Sequence, residues 1–266
     1  MTACSTPQTP RTILSFDFDG TLHNPATDPP VTPELFDLLR HLEKEHNALW
    51  GINTGRALPH MIEGLAESHF PSPPHFIVAR EREIFFPAAD GTWQEDTEWN
   101  EQCARSISHL LDDMRETISQ IRHLVQEHTG AEWIEQPGEP AGIIARTEEE
   151  MGWLHSRIVA MVPPGSALGW QRNSIYLRFG HRDFQKGSSL ARVARHFRLT
   201  PEQVFAIGDS HNDLEMLHPG IASMIACPAN AVPEISAHVR EKGGYHCQQS
   251  YSAAAVEALR HFFHLP

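Results

Sequence analysis

The chain has 266 residues, 40% of them hydrophobic and 21% charged, so it can bury a sizeable core and does not have the composition of a disordered protein. This length exceeds the roughly 150 residues typical of one domain, which predicts one large domain or a core with an inserted domain. The formal charge of −13 argues against the basic surface that non-specific nucleic-acid binding or attachment to anionic membranes requires.

The cysteines and the N-terminus indicate a cellular compartment. Four cysteines stand far apart with no CxxC pair, which favours reduced thiols over a disulfide scaffold or a zinc ribbon. Residues 1–11 are polar and lack the apolar centre of a signal peptide, and no apolar run is long enough to span a membrane. The sequence therefore predicts a cytoplasmic protein with no membrane partner.

The first part of the chain alternates apolar strands with amphipathic helices. Strands are predicted at Thr12–Phe18, Ala48–Asn53 and Phe76–Ala79. One helix begins after the cap residue Thr32 and ends near His46, and another separates the second and third strands. This alternation predicts a parallel, doubly wound α/β sheet.

A hairpin around Asp90-Gly91 follows, and the pattern then changes to long helical segments and short strand pairs. Residues 97–128 have the apolar spacing of one or two helices, and a further helix is predicted at 148–161. Short strands are predicted at 132–135, 142–145, 168–171 and 174–179, with turns at Gln136–Gly138 and Arg172-Asn173. This mixture predicts a small α+β domain inserted into the sheet.

The alternation of strands and helices returns from Lys186 to the end of the chain. The predicted elements are a helix at 186–196, a strand at 204–207, a helix at 212–218, a strand at 222–226 and helices at 233–239 and 251–263. We therefore predict a Rossmann-like core formed by residues 1–81 and 182–266, with an inserted α+β domain at 82–181.

Polar and acidic residues directly follow three of the predicted strands. Asp17 and Asp19 lie at the end of the first strand, Thr54 follows the second, and Asp209 follows the strand at 204–207. Because the carboxyl ends of parallel strands meet at one edge of a sheet, these side chains are expected to converge. Lys186, at the start of the returning alternation, completes the set.

These residue types suit the handling of a phosphate group. Carboxylates from two strands form an oxygen-lined pocket of the kind that holds Mg²⁺ together with a substrate phosphate oxygen. The metal and Lys186 would offset the repulsion between the phosphoryl group and an anionic nucleophile, and aspartate is an established covalent nucleophile. The Thr54 hydroxyl and the N–H groups after Asp17 would hold the equatorial oxygens.

Four segments, DFDGT, NTGR, QKG and GDSHNDLEML, resemble in this order the four motifs of the haloacid dehalogenase (HAD) superfamily, in its Cof-type group. They are also similar to those of sucrose-phosphate phosphatases. The resemblance covers residues 12–80 and 182–250. It implies a core with a large cap between the second and third motifs, which would close over the site and exclude water.

The resemblance also implies a role for each acidic residue. Asp17 would be the nucleophile and a Mg²⁺ ligand, and Asp209 would hold the same ion. Asp19 would be the general acid and then the general base, with its main-chain carbonyl on the metal. Because an acid two residues after the nucleophile goes with phosphatases and phosphomutases, dehalogenation is not expected.

The remaining motif residues are assigned to the phosphate in the same way. Thr54, Gly55, Lys186 and Asn212 would bind the substrate phosphoryl group. Asp213 would lie behind them as a phosphate contact or a support for the metal ligands. For Arg56, pairing with a carboxylate and contact with the substrate are both open.

The sequence therefore predicts a Mg²⁺-dependent enzyme that hydrolyses a small phosphomonoester, first of all a sugar phosphate, through an aspartyl-phosphate on Asp17. A phosphotransferase or phosphomutase is the nearest alternative, and a non-catalytic phospho-ligand-binding protein is another. Six side chains of the inserted domain would either bind the sugar or be ordinary core and surface residues of that domain. They are Trp133, Glu135, Arg146, Trp170, Arg172 and Tyr176.

Overall fold

The computed structural model describes residues 11–135 and 140–266, so the predicted turn at 136–138 lies outside the described residues, as does most of the polar N-terminal segment. The strands are β1 (Thr12–Phe16), β2 (Ala48–Asn53), β3 (Phe76–Ala79), β4 (Glu83–Pro87), β5 (Trp93–Glu95), β6 (Glu132–Ile134), β7 (Gly142–Ile144), β8 (Leu168–Asn173), β9 (Tyr176–His181), β10 (Val204–Ile207), β11 (Met224–Cys227) and β12 (Tyr245–His246). The α-helices are α1 (Pro33–His46), α2 (Leu58–Glu67), α3 (Thr97–Asp113), α4 (Arg115–His128), α5 (Glu148–Met161), α6 (Lys186–His196), α7 (Pro233–Glu241) and α8 (Tyr251–Phe263). Across this part of the chain, none of the helices has the length and apolarity needed to cross a bilayer.

The chain divides into two compact units. The first contains the described residues up to Asp96, then Lys186–Asp209 and Asp213–Pro266. The second contains the described residues of Thr97–Gln185 together with Ser210–Asn212.

An eight-stranded sheet, in the order β12-β11-β10-β1-β2-β3-β4-β5, forms the centre of the first unit. The six strands from β12 to β3 run parallel to one another, and β4 and β5 add an antiparallel edge. The predicted α/β class with a mainly parallel sheet is therefore confirmed.

The hairpin β4–β5 belongs to the large sheet, whereas the sequence boundary at 82 assigned it to the inserted domain. Ile77 of β3 lies opposite Phe85 of β4 in an antiparallel pairing. Asp96, just after the hairpin, accepts two hydrogen bonds from the Arg192 guanidinium (2.8 and 2.9 Å). These bonds attach the hairpin to α6, so the division in the structure falls after Asp96 and after Gln185, not at 82 and 182.

Helix α1 shows how the sequence builds this unit. Pro33 stands in the first turn, where its fixed φ suits a helix and its missing N–H is not needed. Leu35, Leu39 and Leu42 recur at helical spacing and are buried in the core of the sheet. The helix ends at Asn47, which adopts the left-handed conformation (φ +49°) and bonds back to Leu42.

The second unit contains a four-stranded antiparallel sheet, in the order β6-β7-β9-β8, with helices α3, α4 and α5. Its own core includes Ile121 and Val125 of α4, Leu154 of α5 and Phe179 of β9. The long helical stretch of the sequence is two helices, because Met114 interrupts it with a non-helical backbone.

Two predicted elements differ in the structure. Strand β8 continues through Arg172-Asn173, and the chain turns at Ser174, which has a positive φ of +51°. The predicted helix at 212–218 is a short 3₁₀ turn at His211–Asp213 followed by further turns. Acidic side chains of this segment accept hydrogen bonds from backbone N–H groups, as described below, and these bonds stabilise the irregular backbone in place of a helix.

Candidate active site

Three neighbouring strands, β10, β1 and β2, end at the same edge of the large sheet. Phe16, the last residue of β1, lies opposite Ile207 of β10 and Ile52 of β2. The following residue, Asp17, donates its backbone N–H to the Ile207 carbonyl (3.0 Å). The residues that follow these three strands therefore lie at one edge, as expected for parallel strands.

Lys186 joins two carboxylates at this edge. Its Nζ donates hydrogen bonds to Asp17 Oδ1 and to Asp213 Oδ1, both at 2.6 Å, and the side chain is fully buried. The Lys186 carbonyl accepts a bond from Asn53 Nδ2 at the end of β2 (2.9 Å), which fixes the first residue of α6 against the sheet. Burial acts to lower the pKa of Lys186, but the charges of Asp17 and Asp213 outweigh it and raise that pKa, so the ammonium stays protonated.

The Asp17 carboxylate depends on this positive charge. Burial raises the pKa of Asp17 well above its usual range, while the Lys186 ammonium acts in the opposite direction. Asp213 and Asp209 raise the pKa of Asp17 further, because like charges disfavour ionisation. Among these charges, the Lys186 ammonium is the one that favours the carboxylate form of Asp17.

Asp17, Asp209 and Asp213 form an acidic cluster with one oxygen of each within 4.8 Å of the others. Thr21 Oγ1 donates to Asp209 Oδ1 (2.7 Å), and the Asp209 N–H donates to Asp213 Oδ2 (2.9 Å). Burial and the Asp213 charge raise the pKa of Asp209 to about 6. Three carboxylates facing the single Lys186 ammonium leave an excess of negative charge, and their hard oxygen donors fit Mg²⁺.

The loop after β1 requires a glycine beside this cluster. Gly20 has a φ of +84°, and a Cβ placed there would lie 2.6 Å from Asp209 Oδ2. The Gly20 carbonyl accepts a bond from Asn230 Nδ2 (2.7 Å), whose own Oδ1 accepts from the Tyr251 N–H (3.0 Å). Asn230 was not among the predicted site residues, and the turn after β11 is its only signal in the sequence.

Asp19 is paired with Arg56 through both carboxylate oxygens. Arg56 Nε donates to Asp19 Oδ2 (2.8 Å) and Nη2 donates to Oδ1 (2.6 Å). The guanidinium also lies over the Phe18 ring at 4.8 Å, and Gly64 of α2 leaves room for it, since a Cβ there would be 2.6 Å from Nη1. Of the two roles left open for Arg56, carboxylate pairing is the one present in the structure.

Thr54 and Gly55 form the turn that follows β2. The Thr54 side chain is buried, and its Oγ1 accepts a hydrogen bond from the Arg56 N–H (3.2 Å). Thr54 also donates its own N–H to the Val78 carbonyl (2.9 Å), which ties the turn to β3. The hydroxyl proposed to hold a phosphoryl oxygen thus stands on a turn fixed at both ends.

Glu215 is a further residue that the sequence did not single out. Its Oε2 accepts hydrogen bonds from the backbone N–H groups of Gly187 (2.9 Å) and Ser188 (3.3 Å), at the beginning of α6. Gly187 permits this approach, because a Cβ there would lie 2.6 Å from the Glu215 Cγ. In the sequence, Glu215 is one more acidic residue of a predicted helix, so no local pattern indicates this contact.

Asn212, His23 and His211 lie within or near the motif segments. Asn212 lies in the 3₁₀ turn after Asp209, and its predicted phosphate contact stays a prediction. His23 Nδ1 is 3.0 Å from Ser68 Oγ, and its ring stacks on Phe18 at 5.2 Å. His211, in the same turn as Asn212, has a buried Nδ1.

Some of the side chains predicted to bind a sugar already have partners within the second unit. Trp133 Nε1 donates to Glu135 Oε1 (2.9 Å), and Arg146 pairs with Glu150 (2.7 Å). Tyr176 is 53% exposed, so its ring is available at the surface. Their role in substrate binding stays a prediction.

Comparisons with known sequences agree with the third and fourth motifs, QKG and GDSHNDLEML, which lie within the matched residues. Residues 148–249 match the model of the family of haloacid dehalogenase-like hydrolases. The phosphoglycolate phosphatase of Methanothermobacter thermautotrophicus is 38% identical over 77 residues, which is 29% of this chain and 32% of that protein. The chain therefore matches about a third of the length of this curated relative.

Solved structures share the fold over nearly the whole chain. The sucrose-phosphatase of Synechocystis sp. PCC6803 has a TM-score of 0.72 at 17% identity, over 96% of this chain and 98% of that one. A sugar phosphatase of HAD subclass IIB has a TM-score of 0.65 at 15% identity, over 95% and 99% of the two chains. A haloacid dehalogenase-like hydrolase from Bacillus subtilis has a TM-score of 0.62 at 17% identity, over 98% and 95%.

Proposed function

We propose that this chain, a member of the haloacid dehalogenase superfamily by its motifs, its fold and its match to the family model, hydrolyses a small phosphomonoester. The observation that carries the proposal is the buried Lys186 ammonium, which bridges Asp17 and Asp213 beside Asp209. A carboxylate held next to a fixed cation and to further oxygen donors is suited to attack an anionic phosphorus atom, because the charges around it offset the repulsion.

Asp17 is the proposed nucleophile. In the first step one of its oxygens forms a bond to phosphorus while the bond from phosphorus to the leaving oxygen breaks. That oxygen keeps the electron pair and receives the proton of Asp19, so an alcohol leaves and an aspartyl-phosphate remains. Lys186 holds Asp17 Oδ1, which orients the carboxylate for the attack.

Asp19 acts again in the second step. A water oxygen forms a bond to phosphorus as the bond to Asp17 breaks, and Asp19 accepts a proton from that water. Inorganic phosphate leaves and Asp17 returns to its carboxylate form. Arg56 binds both oxygens of Asp19 in the structure and so would fix the plane of that carboxylate between the first and second steps, when Asp19 has given up its proton.

Mg²⁺ would be held by the carboxylates of Asp17 and Asp209 and the main-chain carbonyl of Asp19, with Asp213 in the same cluster. Bound there, it would supply positive charge to the phosphoryl oxygens and to the acidic cluster. Thr54, Gly55, Lys186 and Asn212 would bind the remaining phosphoryl oxygens, as the motif resemblance implies.

The proposed substrate class is a sugar phosphate. The likeness to a sucrose-phosphatase and to a subclass IIB sugar phosphatase supports this choice. The net charge of −13 argues against nucleic acid as a substrate or partner. Transfer of the phosphoryl group to a sugar hydroxyl is the second candidate, because the same aspartyl-phosphate would serve both reactions.

The test is phosphate release from a panel of sugar phosphates, phosphoglycolate and other phosphomonoesters, each with Mg²⁺ and with EDTA. We expect Mg²⁺-dependent turnover without an added acceptor, and a loss of about three orders of magnitude or more in Asp17→Asn. Asp37→Asn is the matched control, since Asp37 lies on α1 with a side chain 73% exposed. Turnover that ignores the Asp17 substitution, or no turnover across the panel, would overturn the proposal.

A further inference from the structure

A strained turn after β3 lies beside the phosphate-binding loop. Arg80 and Glu81 are consecutive residues with positive φ angles, +49° and +66°. Side chains with a Cβ are disfavoured in this conformation, which glycine adopts freely, so two such residues in a row persist only where surrounding contacts hold them. Glu81 is also buried, with 5% of its surface exposed, although it is a carboxylic acid.

The backbone of this turn is bonded to both phosphate-binding segments. The Arg80 N–H donates to the Arg56 carbonyl and the Glu81 N–H donates to the Thr54 carbonyl, both at 2.8 Å. The Glu81 carbonyl accepts a bond from Ser189 Oγ in the first turn of α6 (3.3 Å). These bonds involve main-chain atoms of the turn, so they place the turn but do not require a glutamate.

The Glu81 side chain adds an interaction that the backbone cannot supply. Its Oε1 lies close to Gly55, since a Cβ built on that glycine would be 3.5 Å away. Its negative charge also acts on the Lys186 ammonium, after those of Asp17 and Asp213. The carboxylate is therefore within electrostatic reach of both the loop and the lysine expected to bind the phosphoryl group.

We propose that Glu81 is a positioning residue, whose buried carboxylate supports the Thr54–Arg56 loop, and acts by its charge on the Lys186 ammonium, in the geometry that binds the phosphoryl group. This inference rests on the proposed function of the same site. A glycine would relieve the strained backbone and keep the main-chain bonds, so a glutamate at this position points to a role for its side chain.

Two variants separate the side chain from the backbone. Glu81→Gln keeps the shape and removes the charge, and Glu81→Gly removes the side chain and relieves the strain. Glu83→Gln is the matched control, because Glu83 lies two residues further on and its carboxylate faces Arg80 (3.3 Å) and Arg82 (3.8 Å). All three retain the backbone N–H and carbonyl groups of the turn.

The readouts are kcat, KM, the inhibition constant of orthovanadate, which mimics the phosphoryl group in transfer, and the melting temperature. For both Glu81 variants we expect kcat/KM to fall and the vanadate constant to rise by the same factor, about tenfold, as for other groups that orient a ligand from behind. Glu81→Gly should melt no more than a few degrees below the parent protein. Glu83→Gln should stay within about twofold of it in every kinetic constant.

Three results would overturn the inference. One is kinetic constants within twofold of the parent in both Glu81 variants. Another is a loss of kcat/KM in Glu81→Gly alone, accompanied by a matching fall in its melting temperature, because that result indicates a structural role. The third is an equal loss in Glu83→Gln.

Failure of the proposed function would be recognised separately. If the parent protein shows no turnover, vanadate affinities measured by calorimetry on the parent and on both Glu81 variants still decide the inference. Unchanged vanadate affinity in both variants would then overturn it, and a tenfold loss would support it.

Discussion

Replacing Lys186 by methionine tests the charge balance on which the site depends. The substitution keeps a buried chain of similar length and removes the ammonium that donates to Asp17 and Asp213 at 2.6 Å. Both carboxylates then remain buried without the ammonium that balanced their charge. Removing one partner of a buried ion pair costs about 3–5 kcal/mol, because the remaining charge has lost both its partner and its water. For a chain of this size, that loss lowers the melting temperature by about 6–20 °C.

The same reasoning fixes the dependence of this loss on pH. Burial already raises the pKa of Asp17, and without Lys186 it would rise further. In both proteins the folded chain binds the Asp17 proton more tightly than the unfolded chain does, so stability falls as the pH rises from the unfolded pKa of about 3.9 to the folded pKa. Because the folded pKa is higher in the variant, its stability continues to fall after that of the parent has levelled off, and the deficit grows with pH. The deficit of Lys186→Met relative to the parent should therefore be smaller at pH 5 than at pH 7.

Thermal and urea unfolding in EDTA, followed by circular dichroism at the two pH values, measures both quantities. Lys242→Met is the control, because Lys242 pairs with Glu241 at the surface and its loss should change the free energy of unfolding by less than about 0.5 kcal/mol. A Lys186→Met protein that melts within about 2 °C of the parent, or whose deficit is equal at both pH values, would refute the reasoning.

Three further substitutions have separable expected effects. Gly20→Ala should lower the free energy of unfolding by about 2 kcal/mol and raise the Mg²⁺ concentration for half-maximal activity several-fold. The reason is that the added Cβ would lie 2.6 Å from Asp209 Oδ2, on a backbone in the left-handed conformation. Thermal unfolding measures the first effect and a Mg²⁺ titration of activity measures the second. Arg56→Lys should lower kcat about tenfold in initial-rate assays, because an ammonium cannot bind both oxygens of Asp19 in one plane. Thr147→Ala should cost about 1 kcal/mol in urea unfolding and leave kcat unchanged, because the Thr147 hydroxyl caps α5.

Each of these effects has an opposite outcome that contradicts its physical basis. A Gly20→Ala protein with parental stability would mean that the loop relaxes away from Asp209 without cost. Parental kcat in Arg56→Lys would mean that the two-point contact with Asp19 does not matter for turnover. An altered kcat in Thr147→Ala would connect the α5 cap to catalysis.

The convergence of the motif residues follows from sequence because it depends on short-range patterns. Thr12–Phe16 and Val204–Ile207 are apolar runs that end in acidic residues, and parallel pairing then brings Asp17 and Asp209 to one edge. The position of Lys186 at the start of α6 is likewise visible as the point where the alternation of strands and helices resumes.

Other features depend on contacts between distant residues and leave no local pattern. The β4–β5 hairpin joins the large sheet through its pairing with β3 and the Arg192–Asp96 bonds, neither of which the boundary at 82 reflects. Strand β12 has two residues, too few for any periodicity. Glu81 resembles any charged loop residue in sequence, and only the folded chain shows that it is buried next to Gly55.

The Glu215 carboxylate occupies backbone N–H groups at the beginning of α6 that could otherwise bind an anion. Free N–H groups at a helix N-terminus, with the positive end of the helix dipole, ordinarily form a ready site for phosphate. Here the N–H groups of Gly187 and Ser188 already bind the chain's own carboxylate. In the proposed reaction the Lys186 ammonium, and not these N–H groups, is the part of the first turn of α6 that would bind the phosphoryl group. If the proposed reaction is correct, fewer groups would hold the inorganic phosphate product, and its release at the end of each turnover would be easier.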